Sequence, residues 1–483
     1  MSDVIPPQGP PGVSPAEVGS GVSAGVSTQE DSSRFGITVA TALIMGSVIG
    51  TGIFALPSAL APYGPISILA FLLASVGAVT LALTFGRLSK RIPQSGGPYV
   101  YARDAFGDLN GFINAWSYWI TAWAGNSAIA VAWVGYVEVF INTGHNKGWT
   151  IIIAMFGLWI PAFIYLSGLK NLGVVQVVTT ILKFIPLLFM ATVGLLFIKT
   201  SNFGAFNISG TSWLSAISAT VAITFFGYIG IETASVVAGR VRNPDKNVPR
   251  ATILGTLLCA VVYIGGTITV FGTVSNSALQ ASTSPFSDSA NAIFGGTWAG
   301  NTVAIAAVIS GLGALVGWTL IIAEMPYAAA KGGLFPEKFA QVSKKNKQPV
   351  FAMLVSTILA SLLVVVAYTQ FSSVFTMVVL LGVFTAVIPY LFSAAAQMYW
   401  LFIHGRVKEP RRFVRDLIVS AIAMVFCYWA LAGSGYQTVY YGVICMLLGI
   451  PVYIYVKYKR KEYGETAVIP MGEPGVILER TDV

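Results

Sequence analysis

The sequence predicts an all-α integral membrane protein of about twelve transmembrane helices, ten of them arranged as a 5+5 inverted repeat. Three observations predict it. Over 483 residues the chain is 55% hydrophobic and only 10% charged, with a mean hydropathy of +0.75, a composition suited to the bilayer rather than to water. Two of the membrane-length apolar segments are interrupted by glycine at their midpoints: Gly46-Ser47-Val48-Ile49-Gly50-Thr51-Gly52 in the first and Phe226-Gly227-Tyr228-Ile229-Gly230 in the sixth. The third observation is the one-sided placement of the basic residues.

A crossing needs about 20 apolar residues. That rule places spans at 39–60, 65–85, 111–140, 149–166, 174–198, 214–238, 251–271, 302–329, 350–368, 374–400, 416–431 and 439–456. With the N-terminus in the cytoplasm, every loop and tail cation falls inside except Lys147 and Lys199. The positive-inside rule then puts both termini in the cytoplasm and the protein in the plasma membrane as a multi-pass chain. The formal charge of +9 reflects topology, and implies no nucleic acid and no acidic partner.

Residues 1–34 are rich in Pro, Gly, Ser and Val and lack a basic n-region followed by an apolar run, which predicts a disordered cytoplasmic tail and not a cleaved signal. The rest divides into 35–200 for the first repeat, 201–402 for the second, 403–457 for the last two spans and 458–483 for a second cytoplasmic tail. The last two spans are available for packing or for a homodimer. Cys259, Cys427 and Cys445 lie in different apolar spans, so they predict no disulfide and no metal site. No cofactor motif occurs.

A helix broken at bilayer depth frees N–H and C=O groups that hydrocarbon cannot satisfy, so a cavity or a ligand must. The two breaks open consecutive blocks of five spans, and an odd number of spans inverts the second block. Gly46 and Gly50 also fit a small-xxx-small helix contact, but glycine clusters at the head of both blocks favour a site. A helix starting near Thr51 turns free N–H groups and a positive dipole end toward a carboxylate. Gly50, Thr51 and Gly52 are therefore the expected carboxylate cradle, with the Thr51 hydroxyl as a further donor. Across from it, carbonyls near Val48, Phe226 and Ile229 accept from an ammonium. An amino acid zwitterion fits such a pair of ends.

Three ionisable side chains lie inside spans, Lys183, Glu232 and Glu324, and each is a functional candidate because charge at that depth is expensive. Glu324 is six residues, about 9 Å of helix, from Trp318. A Lys183–Glu324 pair is the expected inner gate. Glu138, His145 and Lys147 are read as ordinary solvated groups near the outer surface.

Gly50 to Phe54 (GTGIF), Ser95 to Arg103 (SGGPYVYAR), Gly230 to Ser235 (GIETAS) and Asn243 to Pro249 (NPDKNVP) resemble the amino acid–polyamine–organocation superfamily. Trp318-Thr319 and Ala328 to Pro336 (AAAKGGLFP) are similar to its basic amino acid antiporters, the arginine/agmatine and arginine/ornithine exchangers. The resemblance implies alternating access without ATP. It further implies that Trp318 and Phe226 stack on the substrate side chain, that Tyr118 and Tyr390 gate, and that Thr121, Ala122 and Asn126 line the cavity. A guanidinium over Trp318 gains about 2 kcal/mol when desolvated. Lys183 resembles a lysine that stands in for sodium, so Na⁺ dependence is not expected, and Glu232 resembles a residue of proton sensing and conformational coupling. Ser47, Ala122, Phe226 and Gly382 depart from the Asn, Cys, Trp and Ser of the arginine/agmatine group. The wider, less polar pocket admits ornithine, lysine or a neutral amino acid.

The functional expectation is an antiporter of a basic amino acid against a related amino acid or amine, in a lipid bilayer and with protons as a further partner. The alternative is a proton-coupled symporter of neutral amino acids. An amino acid-gated channel would need a filter or a charge ring, and a sensor would need a signalling domain. An enzyme is not expected, since Walker, Rossmann and zinc-ligand spacings are missing from the sequence.

Overall fold

Long apolar stretches make long helices here, and they stop where glycine or proline removes the support for one. The computed structural model describes residues 36–92, 96–167, 172–236, 241–344, 348–370, 373–404 and 410–460, and among these residues the chain is all helix and connection, without a strand. The two tails lie outside the described residues except for 458–460, as do Ser95, Lys170, Arg240, Lys345, Lys347, Arg406, Lys408, Lys461 and Arg480.

The first crossing is α1 (Ile37–Val48) followed by α2 (Gly52–Leu60), parted at 49–51. It continues through α3 (Ile66–Arg91), a short α4 (Pro98–Phe106), α5 (Asp108–Val137), α6 (Lys147–Ser167) and α7 (Leu172–Thr192). The sixth crossing is α8 (Trp213–Phe225), a tight turn at Phe226–Tyr228, and α9 (Thr233–Val236). Then come α10 (Pro244–Thr273), the short α11 (Asn276–Ala281) and α12 (Pro285–Phe294), α13 (Trp298–Lys331), α14 (Val350–Gln370) and α15 (Val374–His404). Two further crossings follow, α16 (Pro410–Gly433) and the pair α17 (Tyr436–Leu447) and α18 (Gly449–Lys459).

Among the described residues, eleven segments are long and apolar enough to cross a membrane. The sixth crossing misses that length because it is broken, its longest apolar piece being Trp213–Tyr228. Both breaks fall on the glycine clusters. The last crossing differs from the straight span expected at 439–456, because it bends at Leu448, where Gly449 brings α18 close against Trp116 of α5.

The packing repeats itself when the two halves are exchanged. The contact of α3 with α8 matches that of α10 with α1, α5 with α15 matches α13 with α7, and α1 with α7 matches α8 with α15. Likewise α13 with α6 matches α5 with α14, while α3 with α10, α5 with α13 and α6 with α14 join equivalent helices of the two halves. Five crossings per half reverse the direction of the second half, so this is an inverted repeat. Burial shows where its centre is: 94% of the apolar window of α1–α2 and of α5 is buried, against 28% for α16 and 17% for α17–α18.

Basic side chains meet at one face. Arg103 Nε and Lys457 Nζ each lie 2.8 Å from the Asp108 carboxylate, Arg103 Nη1 donates to Gly332 O at 2.7 Å, and Arg87 pairs with Asp416 at 2.9 Å. These bonds gather the ends of α3, α4, α13 and α18 and the starts of α5 and α16.

Candidate functional site

A helix end leaves carbonyls with no partner of their own, and at the end of α1 three in a row are taken by side chains from three other helices. Gly46 O accepts from Lys183 Nζ of α7 at 2.7 Å, Ser47 O from Trp318 Nε1 of α13 at 3.1 Å, and Val48 O from the Tyr263 hydroxyl of α10 at 2.8 Å. The lysine is fully buried, and the negative end of the α1 dipole is a favourable place for its charge. This corrects two expectations. None of the described ion pairs joins Lys183 to Glu324, which instead lines a cavity open to the basic face. The Val48 carbonyl, expected to face an ammonium, is already held by Tyr263.

The N-terminus of α2 has the opposite character. Among the described hydrogen bonds none uses the N–H of Thr51 or of Gly52. The Thr51 hydroxyl, expected to join them as a donor, is directed away and donates to Ile129 O at 2.8 Å. A buried hydroxyl needs a partner, and the nearby α5 carbonyl supplies one.

In the second break the chain turns at Phe226–Tyr228, where Ile229 N donates to Phe226 O at 3.2 Å. Gly230 sits at φ +111°, and a Cβ there would be 3.2 Å from the carbonyl carbon of Ser47, so the two breaks touch. Thr233 caps Gly230 O with both its N–H (3.0 Å) and its hydroxyl (2.6 Å). Among the described residues no donor reaches Ile229 O. Just beyond, the fully buried Glu232 accepts from the Tyr118 hydroxyl of α5 at 2.5 Å, from the Tyr390 hydroxyl of α15, and from Gly230 N at 3.2 Å. The two expected gates and the expected coupling residue therefore form one knot that ties α5 and α15 to the break.

Between the breaks lies a cavity of about 20 Å³ walled by Val48, Gly50, Gly52, Phe226, Ile229 and Trp318, together with Ser47, Ile53, Gly125, Ile129 and Gly227. None of these side chains is charged. The volume suits a single water-sized body, because the Phe226 ring occupies the space: a Cβ on Gly52 would lie 2.6 Å from its Cε1, and one on Gly382 3.7 Å from its Cε2. A cavity of about 800 Å³ opens from the basic face as far as Ser47 and Thr233, past Arg103, Asp108, Glu324 and Lys331. On the opposite side a third, of about 480 Å³, ends against Phe375, whose ring meets Phe226 edge-on at 6.3 Å.

Not every expected residue reaches the central cavity. Thr121 pairs with Thr385 of α15 at 2.9 Å, and neither Ala122 nor Asn126 lines it. Asn126 is nonetheless fully buried with both amide atoms unpartnered among the described residues, an arrangement that asks for a ligand or a second conformation. Gly125, Ile129 and Tyr263 were missed by sequence reasoning. Each is an apolar-span residue without a motif, and only the three-dimensional contact marks it.

Two inverted five-helix halves, with their first helices broken against each other around a mid-membrane cavity, define a broken-helix membrane carrier. A sequence model described as amino acid permease matches residues 35–456, and the chain belongs to that family. It is 31% identical over 430 residues to the putrescine transporter PotE of Haemophilus influenzae, covering 89% of this chain and 98% of that one. It is likewise 31% identical to the arginine/ornithine antiporter of Pseudomonas aeruginosa over 462 residues (91% and 93%) and 29% identical to the arginine/agmatine antiporter of Chlamydia pneumoniae over 457 residues (90% and 92%).

Proposed function

We propose that the protein is an antiporter that exchanges a basic amino acid for a related amino acid or amine by alternating access, with its basic face in the cytoplasm. The observation that carries this is the pair of unfilled ends at the breaks: N–H groups at Thr51 and Gly52 for a carboxylate and the carbonyl of Ile229 for an ammonium, with Gly52 and Ile229 on the wall of the same central cavity. The positive-inside rule supports the orientation, and the relatives support the class of substrate.

In this reading substrate enters from the cytoplasmic cavity past Glu324. Its ammonium takes Ile229 O, its carboxylate takes the N–H groups of α2, and its side chain lies between Phe226 and Trp318. A guanidinium or ammonium against those rings is held by cation–π attraction, so no carboxylate is required in the pocket. Admission requires the Phe226 ring to swing out of the space beside Gly52 and Gly382. Glu232 with Tyr118 and Tyr390 holds the second break in register with α5 and α15. Lys183 anchors the end of α1 where a bound cation would otherwise be needed.

Counterflow in proteoliposomes preloaded with arginine tests the reading. Uptake of labelled arginine, ornithine, lysine, agmatine and putrescine is measured against alanine and leucine. Trans-stimulation by cationic species is the expected result. Uptake of alanine or leucine that needs no internal substrate supports the proton-coupled symporter of neutral amino acids instead.

A further inference from the structure

The residue that caps the end of α5 carries a carboxylate that the fold has buried. Glu138 is 4% exposed, which corrects its reading as a solvated surface group. The connection to α6 folds back over it. Asn142 Nδ2 and the Thr150 hydroxyl donate to Oε1 at 2.6 and 2.5 Å, and His145 Nδ1 lies 2.7 Å from Oε2. Asn142 and His145 both take left-handed backbone, φ 56° and 50°, a conformation that non-glycine residues hold where their surroundings determine it.

This carboxylate forms part of the wall of the 480 Å³ cavity opposite the basic face, with His145, Lys147, Thr150 and Tyr368 beside it. Ser282, also on this wall, donates its hydroxyl to Asp288. A carboxylate has about four acceptor positions, and the folded connection fills three. The fourth, on Oε2, remains. The ion-pair partner of Glu138 is His145, whose side chain is 53% exposed and which carries charge only when protonated. A buried carboxylate with a part-time counter-charge favours an incoming cation. The same cavity ends at Phe375 and so at the far side of Phe226, on the path to the centre.

We propose that Glu138 is an entry site for the cationic group of the substrate, an ammonium or guanidinium, which takes the open position on Oε2 beside His145. The proposal rests on the exchanger reading and on the orientation given above.

The test uses right-side-out and inside-out vesicles containing the full chain. Half-saturation for arginine and ornithine is measured at each face. Glu138→Gln is expected to raise the outer value about tenfold, the effect of losing one charge-assisted hydrogen bond, and to leave the inner value within about twofold. His145→Ala, which removes the neighbour on Oε2, is expected to lower the outer value about threefold and to leave the inner value within about twofold. Equal shifts at both faces, or no shift in either variant, overturns the proposal. Should Glu138→Gln fail to reach the membrane, His145→Ala keeps the carboxylate and decides alone. Wild-type vesicles that move no cationic species at either face contradict the exchanger reading itself, and the entry site falls with it.

Discussion

The two broken helices occupy equivalent places in the inverted repeat, yet they are finished differently. At the first, the freed carbonyls of Gly46, Ser47 and Val48 are held by Lys183, Trp318 and Tyr263, from three separate helices. At the second, Ile229 O has no donor among the described residues, while Gly230 N is covered by a side chain of its own segment, Glu232. The first break is thus anchored to the scaffold on its carbonyl side and offers only its N–H side. The second offers its carbonyl. Symmetry of fold with asymmetry of finish suits a zwitterion, whose two charged groups also differ.

The comparison can be broken most severely at the contact between the breaks. Gly230→Val forces a β-branched residue to φ +111° and against Ser47, strain of about 3 kcal/mol. Exchange of every substrate is expected to fall by about a hundredfold in proteoliposome uptake, and normal rates would mean that the breaks need not touch.

Removing the anchor of the first break comes next. Lys183→Ala leaves Gly46 O buried without its donor, at a cost of about 1–3 kcal/mol, and frees the end of α1. Arginine affinity by equilibrium binding is expected to stay within about threefold while the exchange rate falls about tenfold. A variant that exchanges at the wild-type rate returns Lys183 to a purely structural role.

Trp318 sharpens the picture because its ring and its N–H do separate things. Trp318→Leu removes both, and affinity for cationic substrates is expected to fall by about 2 kcal/mol, more than for neutral ones. Trp318→Phe keeps a ring face and loses the bond to Ser47 O, with an expected effect of about 1 kcal/mol. Equal losses for arginine and leucine in the Leu variant would make the ring a steric gate. The smallest transport effect belongs to Thr51→Ala. Its hydroxyl serves Ile129 O, so the thermal midpoint is expected to drop for a loss of about 1 kcal/mol while arginine affinity is unchanged.

Much of this was legible in the sequence, because hydrocarbon punishes an interrupted helix and glycine at mid-span has few other uses. The break positions and the inverted halves follow from glycine clusters and span counts along the chain, whereas the contact of Glu232 with Tyr118 and Tyr390 appears only in the fold. Hydrogen-bond direction was not legible. Thr51 reads as a ligand donor until the α5 carbonyl beside it is seen, and Tyr263 reads as one more apolar-span aromatic until it reaches Val48 O. The pairing of Lys183 with a carbonyl in place of Glu324 depends on how α7 lies against the end of α1, which spacing within one helix cannot supply. Glu138 looked solvated because it lies near the outer surface with His145 and Lys147, and only the folded connection shows that Asn142, His145 and Thr150 close over it.

The central claim is that Ile229 O at the second break receives the ammonium that amino acids and amines have in common. Competition against labelled arginine on the purified protein tests it, with agmatine and with arginine lacking its α-amino group as competitors. Agmatine keeps the ammonium and is expected to compete within about tenfold of arginine, whereas the deaminated acid loses a charge-assisted bond of about 1.5–3 kcal/mol and is expected to be weaker by at least about tenfold. A deaminated acid that competes as well as arginine would contradict the account.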